Sequence, residues 1–150
     1  MSDYFLYLIP EEPNYIPESK SSELALSLLK SFFDDHVEVK EIVFDEINFI
    51  DPGQNFESVS CPNCGSDISD SWQSLMDASY AAKFKDLDIL TPCCGTESSL
   101  NSLVYKWPAG FAKYVLRVYN PPHKDWLGQS IINNLEKILG CNIRQVKSHI

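Results

Sequence analysis

Four of the five cysteines of this 150-residue chain lie in two short turns, and these turns constrain the fold more than any other feature. The turns read Cys61-Pro62-Asn63-Cys64-Gly65 and Thr91-Pro92-Cys93-Cys94-Gly95, with 28 residues between Cys64 and Cys93. Two thiolates in one such turn can point at the same ion, and four thiolates from two turns neutralise and enclose a tetrahedral Zn²⁺. The spacing therefore predicts one structural zinc ion per chain, held by Cys61, Cys64, Cys93 and Cys94.

The second turn departs from the first in one respect. When the two are aligned, Thr91 stands where the first cysteine belongs, and Cys93 stands at the spacer position of Asn63. Because adjacent side chains tend to diverge, three interpretations stay open. In the first, both Cys93 and Cys94 bind the ion. In the second, Cys94 binds without Cys93 and His123, an acidic side chain or water completes the site; in the third, the metal is lost and the turns persist as packing.

The two turns, with their proline and glycine neighbours, resemble the knuckles of zinc-ribbon and rubredoxin-like modules. This resemblance covers residues 61–95 and implies a structural zinc ion as the cofactor. More loosely, the whole chain resembles small bacterial cytoplasmic proteins that carry a run similar to residues 90–95 followed by one similar to residues 99–103. No activity is established for those proteins, so this second resemblance supports the zinc site and leaves the function open.

The charged residues are distributed unevenly along the chain. The net charge is −8 over residues 1–50, −6 over residues 51–100 and +5 over residues 101–150, which gives −9 for the whole chain. The acidic part repels nucleic-acid phosphates and anionic membranes and favours a basic protein partner. We therefore expect a zinc-binding protein that binds a protein partner, as an immunity protein, an inhibitor or an adaptor does. The alternative is a zinc ribbon that binds nucleic acid with the help of the basic last third.

The sequence contains none of the common catalytic motifs, such as G-x-S-x-G, H-E-x-x-H, a phosphate-binding loop or G-x-G-x-x-G. Its three histidines are scattered, and none has a neighbouring pattern that would orient it for catalysis. A further alternative is a zinc enzyme in which Cys61, Cys64 and Cys94 leave one coordination position for water. Such sites also use a glutamate close to the first ligand, and none follows Cys61. A non-enzymatic role is therefore the expectation.

Apolar periodicity predicts the elements on both sides of the cysteine segment. Leu24, Leu28 and Phe32 recur every four residues, and Ala25, Leu29 and Phe33 widen this apolar stripe. The pattern predicts an amphipathic helix with its apolar face turned inward, which Ser19 or Ser21 would cap. The other predicted elements are strands over residues 4–9, 37–49 and 142–148, a hairpin with arms over residues 102–107 and 111–119, and a helix over residues 125–139. Gly140 is expected to end that last helix.

With residues 61–95 set aside, the predicted order is strand, helix, strand, strand, helix, strand. This is the order of a ferredoxin-like split βαβ sandwich, in which two helices cover one face of an antiparallel sheet. A chain of 150 residues with 44% hydrophobic residues can bury enough surface for one domain. The sequence therefore predicts a single α+β domain over residues 1–150, with a zinc-ribbon-like insert over residues 61–95.

Three observations bear on location. No stretch approaches the roughly 20 apolar residues that a bilayer requires. The first residues, Met1-Ser2-Asp3-Tyr4, lack the basic and long apolar regions of a signal peptide. Cysteines in metal-binding turns fit a reducing compartment, where disulfides are rare. We therefore expect a cytoplasmic protein with no membrane segment.

Overall fold

The computed structural model describes residues 2–123 and 125–150, and within them the chain forms a mixed α+β fold with three α-helices and eight β-strands. The helices are α1 (Ser19–Lys30), α2 (Ser69–Tyr80) and α3 (Gln129–Leu139). The strands are β1 (Tyr4–Pro10), β2 (Glu38–Ile50), β3 (Ser58–Ser60), β4 (Asp88–Leu90), β5 (Glu97–Ser99), β6 (Val104–Lys106), β7 (Gly110–Tyr119) and β8 (Ile143–His149). None of the helices in the described ranges has the length and apolar character that a membrane crossing requires.

Four strands form the main sheet in the order β2-β7-β1-β8, and each neighbouring pair is antiparallel. β7 lies between β2 and β1 and most of its side chains are buried, whereas β2, at one edge, has many exposed positions. Helices α1 and α3 pack on one face of this sheet. Their shared core consists of Leu6, Leu8, Ala25, Leu29, Val39, Tyr114, Leu116, Val118, Ile132, Leu135 and Leu139. The predicted α+β class and the antiparallel sheet are confirmed.

Helix α1 is present, and it buries only one edge of the predicted apolar stripe. Ala25 and Leu29 are fully buried, whereas Leu24 is 58% exposed. The buried stripe also contains Ser22, whose hydroxyl bonds to Glu41 and lies 2.6 Å from the hydroxyl of the buried Tyr114. This polar contact lies on the same side of the helix as Ala25 and Leu29, the side that faces the sheet. The predicted serine cap is also wrong, because residue 18 is the N-cap and its side chain makes no capping hydrogen bond.

The rotation of α1 gives a direct test on stability. Leu29→Ala is expected to lower the free energy of unfolding by about 2–5 kcal/mol, because it empties a buried position between the helix and the sheet. Leu24→Ala, on the same helix, is expected to change it by about 0.5 kcal/mol or less. Urea denaturation of the two variants checks this, and equal losses would contradict the observed packing.

The predicted hairpin is wrong in its pairing. Val104–Lys106 does pair as a strand, but its partner is β3, with Val59 opposite Tyr105, rather than β7. β7 has no free edge, since β1 and β2 hydrogen-bond to its two sides. The segment Pro108-Ala109 therefore connects two different sheets instead of closing one hairpin.

The other predicted elements are present with shifted ends. The last helix begins at Gln129 rather than at residue 125, and it ends at Gly140, which adopts the left-handed conformation with φ 76°. The final strand is present as β8. The register of β2 against β7 shifts between Val43 and Asn48, which marks a β-bulge or similar irregularity in this edge strand.

A second apolar core surrounds the cysteine segment. Its buried members are Ile47, Val59, Cys61, Ile68, Met76, Phe84, Leu87, Leu100, Leu103, Tyr105, Ala109 and Phe111. Two of these, Ile47 in β2 and Phe111 in β7, belong to strands of the main sheet. The main sheet therefore provides one wall of the core on which the cysteine turns rest.

Candidate metal centre

The two cysteine turns have the same backbone geometry. In each turn the N–H of the first residue donates to the carbonyl five residues later, and its carbonyl accepts from the glycine N–H four residues later. The bonds are Cys61 N to Ser66 O (2.9 Å), Gly65 N to Cys61 O (3.0 Å), Thr91 N to Thr96 O (2.9 Å) and Gly95 N to Thr91 O (2.8 Å). Thr91 is therefore the structural counterpart of Cys61.

Gly65 and Gly95 close the two turns with positive φ angles of 76° and 67°. A residue with a side chain is strained in this conformation, although a Cβ would meet no atom within 4 Å at either position. The requirement for glycine is thus conformational rather than spatial. It allows the chain to reverse direction immediately after Cys64 and Cys94.

Short strand pairs connect both turns to the second core. An isolated bridge flanks the first turn, and β4 and β5 flank the second. The first residue of each turn faces inward, with Cys61 1% exposed and Thr91 2% exposed. The other three cysteines of the turns are exposed: Cys64, Cys93 and Cys94. The cluster therefore has one side in the core and one side open to solvent.

The four cysteines predicted from the sequence come together, with all four Sγ atoms within 4.8 Å of one another. The Sγ–Sγ distances are 3.3 Å for Cys64–Cys93, 3.8 Å for Cys61–Cys94 and 3.9 Å for Cys93–Cys94. A tetrahedral zinc ion with Zn–S bonds of about 2.3 Å places its sulfur atoms about 3.8 Å apart. The cluster is thus close enough to bind a metal ion, and it is compatible with a zinc-ribbon segment.

Cys93 and Asn63 occupy the same position in their turns, and each reaches across to the opposite turn. The Nδ2 of Asn63 donates to Thr96 Oγ1 at 3.0 Å and to Cys94 Sγ at 3.5 Å. The Sγ of Cys93 makes the corresponding crossing to Cys64. The adjacent Cys93 and Cys94 therefore both reach the cluster while the backbone hydrogen bonds of their turn stay regular.

Polar groups around Cys94 stabilise its thiolate. The hydroxyls of Thr91 and Thr96 lie 3.2 and 3.3 Å from its Sγ. Their hydrogen bonds, together with that of the Asn63 amide, lower the pKa of the Cys94 thiol to about 5. A sulfur that is negatively charged at neutral pH is the form that binds a metal cation.

The contact between Cys64 and Cys93 shifts the pKa values of their thiols in opposite directions. The side chain and backbone N–H of Ser66 lower the pKa of the Cys64 thiol, and hydrogen bonding to Cys64 raises the pKa of Cys93 to about 12. Sequence reasoning did not single out Ser66 or Thr96. The sequence feature that could have identified them is their equivalent position, directly after the glycine of each turn.

The remaining candidate ligands lie elsewhere. His123 lines a small cavity with Tyr4, Pro121 and Lys147 and does not belong to the cysteine cluster. Cys141 follows α3, and burial raises the pKa of its thiol to about 11. A protonated thiol of this kind is a poor metal ligand. Within the described residues, the cluster consists of the four turn cysteines without a histidine or carboxylate.

Comparison with known proteins adds no relative to this picture. No protein-family model, curated protein or solved structure matches the chain. The likeness to a zinc ribbon is carried by the four-cysteine cluster and by the paired geometry of its two turns.

Proposed function

We propose that Cys61, Cys64, Cys93 and Cys94 hold one structural zinc ion that fastens the two turns to each other. The observation that carries this proposal is that all four Sγ atoms lie within 4.8 Å of one another, with Sγ–Sγ contacts of 3.3, 3.8 and 3.9 Å among them. Four thiolates fill all four positions of tetrahedral zinc and leave none for water, which is typical of a structural site and favours a non-enzymatic protein. The open-site enzyme would need Cys93 outside the cluster.

We also propose a ferredoxin-like sandwich as the frame of the single domain. The strand order β2-β7-β1-β8, with α1 after β1 and α3 after β7, supports this topology. The zinc-binding segment is then an insert between β2 and β7, the second and third strands of the sandwich. It rests on the core that Ile47 and Phe111 share with the sheet.

We further propose that this domain acts in the cytoplasm by binding a basic protein partner, as an inhibitor or adaptor does. Support comes from the net charge of −14 over residues 1–100, since an acidic surface steers a basic partner towards it. Immobilised full-length protein should capture a specific protein at low salt and release it at high salt, with capture unaffected by nuclease treatment. Capture that nuclease abolishes would favour the nucleic-acid alternative, and no specific capture would contradict both.

The zinc site is tested by metal analysis of the full-length protein purified without added metal. We expect one zinc ion per chain, and at least a tenfold weaker affinity in Cys93→Ser, because a hydroxyl replaces one of four thiolates. Cobalt substitution should give the spectrum of four sulfur ligands in the unchanged protein. Full zinc affinity in Cys93→Ser would overturn the four-sulfur assignment.

A second variant tells whether the loss is specific to coordination. Because Thr91 is the counterpart of Cys61, adding Thr91→Cys to Cys93→Ser gives the second turn the regular spacing of the first. This double variant is expected to regain most of the zinc affinity. Cys141→Ser is the matched control, since its thiol lies outside the cluster, and it should retain one zinc ion per chain.

A further inference from the structure

We propose that the cysteine cluster is also a redox modification site, at which a peroxide converts the four thiols into two disulfides that link one turn to the other, Cys64 to Cys93 and Cys61 to Cys94. This inference takes from the proposed function only the release of zinc. The pairing of the sulfurs is a property of the chain itself and holds in its metal-free form.

The pairing follows from geometry. Four cysteines can form two disulfides in three ways. One way joins Cys93 to its neighbour Cys94, but Cα atoms across a trans peptide are only about 3.8 Å apart, and a disulfide normally needs about 4.4–6.8 Å. Because Cys61–Cys64 is the complement of that vicinal pair, this arrangement is disfavoured as a whole.

The sulfur positions choose between the two arrangements that remain. The Sγ of Cys64 lies 3.3 Å from that of Cys93, and the Sγ of Cys61 lies 3.8 Å from that of Cys94. Both links connect the first turn to the second, as the metal ion does. Oxidation therefore replaces the metal ion by disulfides as the link between the two turns, and the turns stay connected.

Access of the oxidant sets the order of the two steps. Cys64 and Cys93 are both exposed, whereas Cys61 is 1% exposed. A small oxidant therefore reaches the Cys64–Cys93 pair directly, and we expect this disulfide to form first. The Cys61–Cys94 link follows through the exposed Cys94.

Each disulfide is a two-electron oxidation with hydrogen peroxide as the oxidant. One thiolate attacks a peroxide oxygen, the O–O bond breaks, and a sulfenic acid and a hydroxide ion form. The second thiolate attacks the sulfenic sulfur, the S–S bond forms, and a second hydroxide ion leaves. Two peroxide molecules thus oxidise the four zinc-bound thiolates to two disulfides, with release of one Zn²⁺ and four hydroxide ions.

The test uses the full-length protein, both zinc-loaded and metal-free, titrated with hydrogen peroxide. We expect the single zinc ion to be released completely by the time two peroxides per chain are consumed, measured with a chromogenic chelator. Tandem mass spectrometry of the unreduced protein should find Cys64–Cys93 at early times and Cys61–Cys94 later. Cys141 is the internal reference and should remain open to alkylation after unfolding.

Two single variants keep the result interpretable. Cys61→Ser should still form Cys64–Cys93, and Cys64→Ser should still form Cys61–Cys94. Disulfides within one turn, crossed pairs, links between chains or sulfinic acid without a disulfide would each overturn the inference. Failure of the proposed function is a different result, because protein that never binds zinc would still give the two predicted links if the inference is right.

Discussion

Removal of the metal ion by a chelator is expected to lower the amide protection of both cysteine turns by at least about tenfold, while the main sheet stays protected. The four sulfurs are the principal connection between the turns, alongside the hydrogen bonds that Asn63 makes to Thr96 and Cys94. Structural zinc contributes about 10–16 kcal/mol in small peptides that have no other core. Here the second core also stabilises the segment. We therefore expect removal of the metal ion to cost only a part of that free energy, and to affect the turns alone.

Hydrogen exchange followed by mass spectrometry measures this directly. Peptides that cover residues 58–68 and 88–99 should lose protection after chelation, whereas those that cover residues 4–10 and 110–119 should not. Addition of zinc should restore the protection, and Cys141→Ser should behave as the unchanged protein does. An equal loss across both sets of peptides would mean that the ion stabilises the whole domain, and no loss in either would remove its structural role.

The four-cysteine cluster was largely predictable because its determinants are local. A cysteine, a proline and a glycine at fixed spacing define each turn, and the turn geometry aims two side chains in one direction. What the sequence left open was whether Cys93 reaches the cluster from a spacer position. The answer depends on how closely the two turns approach each other, although 28 residues separate them in the chain. Asn63, at the equivalent position of the first turn, makes the same kind of contact to the opposite turn.

The rotation of α1 was not predictable for a different reason. The predicted stripe contains Leu24 as well as Ala25 and Leu29, and local sequence does not say which edge of so wide a stripe is buried. The buried edge also carries Ser22, whose hydroxyl meets that of Tyr114 from a strand 92 residues away. A polar residue in a buried stripe is explained only by such a distant partner.

The wrong hairpin has a similar origin. Pro108-Ala109-Gly110 is a plausible turn, and residues on both sides are strands, so a local reading pairs them. In the structure β7 pairs with β1 on one side and with β2 on the other. β6 pairs instead with β3, near the first cysteine turn. The pairing of strands depends on residues that are distant in the sequence, and local apolar periodicity does not contain this information.

Arg144→Met is expected to lower the free energy of unfolding by about 2–3 kcal/mol, because this guanidinium connects β8 to the segment that carries the cysteine turns. Its Nη1 donates to the carbonyls of Asn101 (3.1 Å) and Ala109 (2.8 Å), and its Nη2 pairs with Glu11 at 2.6 Å. The Arg144 side chain is 22% exposed, so the carbonyls that lose their donor are poorly supplied with water. Methionine keeps much of the apolar stem and removes these hydrogen bonds.

Arg117→Met is the matched control, and the comparison isolates the backbone contacts from the ion pair. Arg117 is covered to a similar extent, with its side chain 25% exposed, and it also pairs with one glutamate, Glu38, at 2.8 Å. Its other contact is with the ring of Phe5 rather than with backbone carbonyls. Because exposed ion pairs contribute about 0–1 kcal/mol, its loss should stay near that range. Equal losses for the two arginines in urea unfolding would mean that Arg144 acts only as a surface charge. A larger loss for Arg144 means that its contacts with Asn101 and Ala109 hold the sheet and the cysteine-bearing segment together.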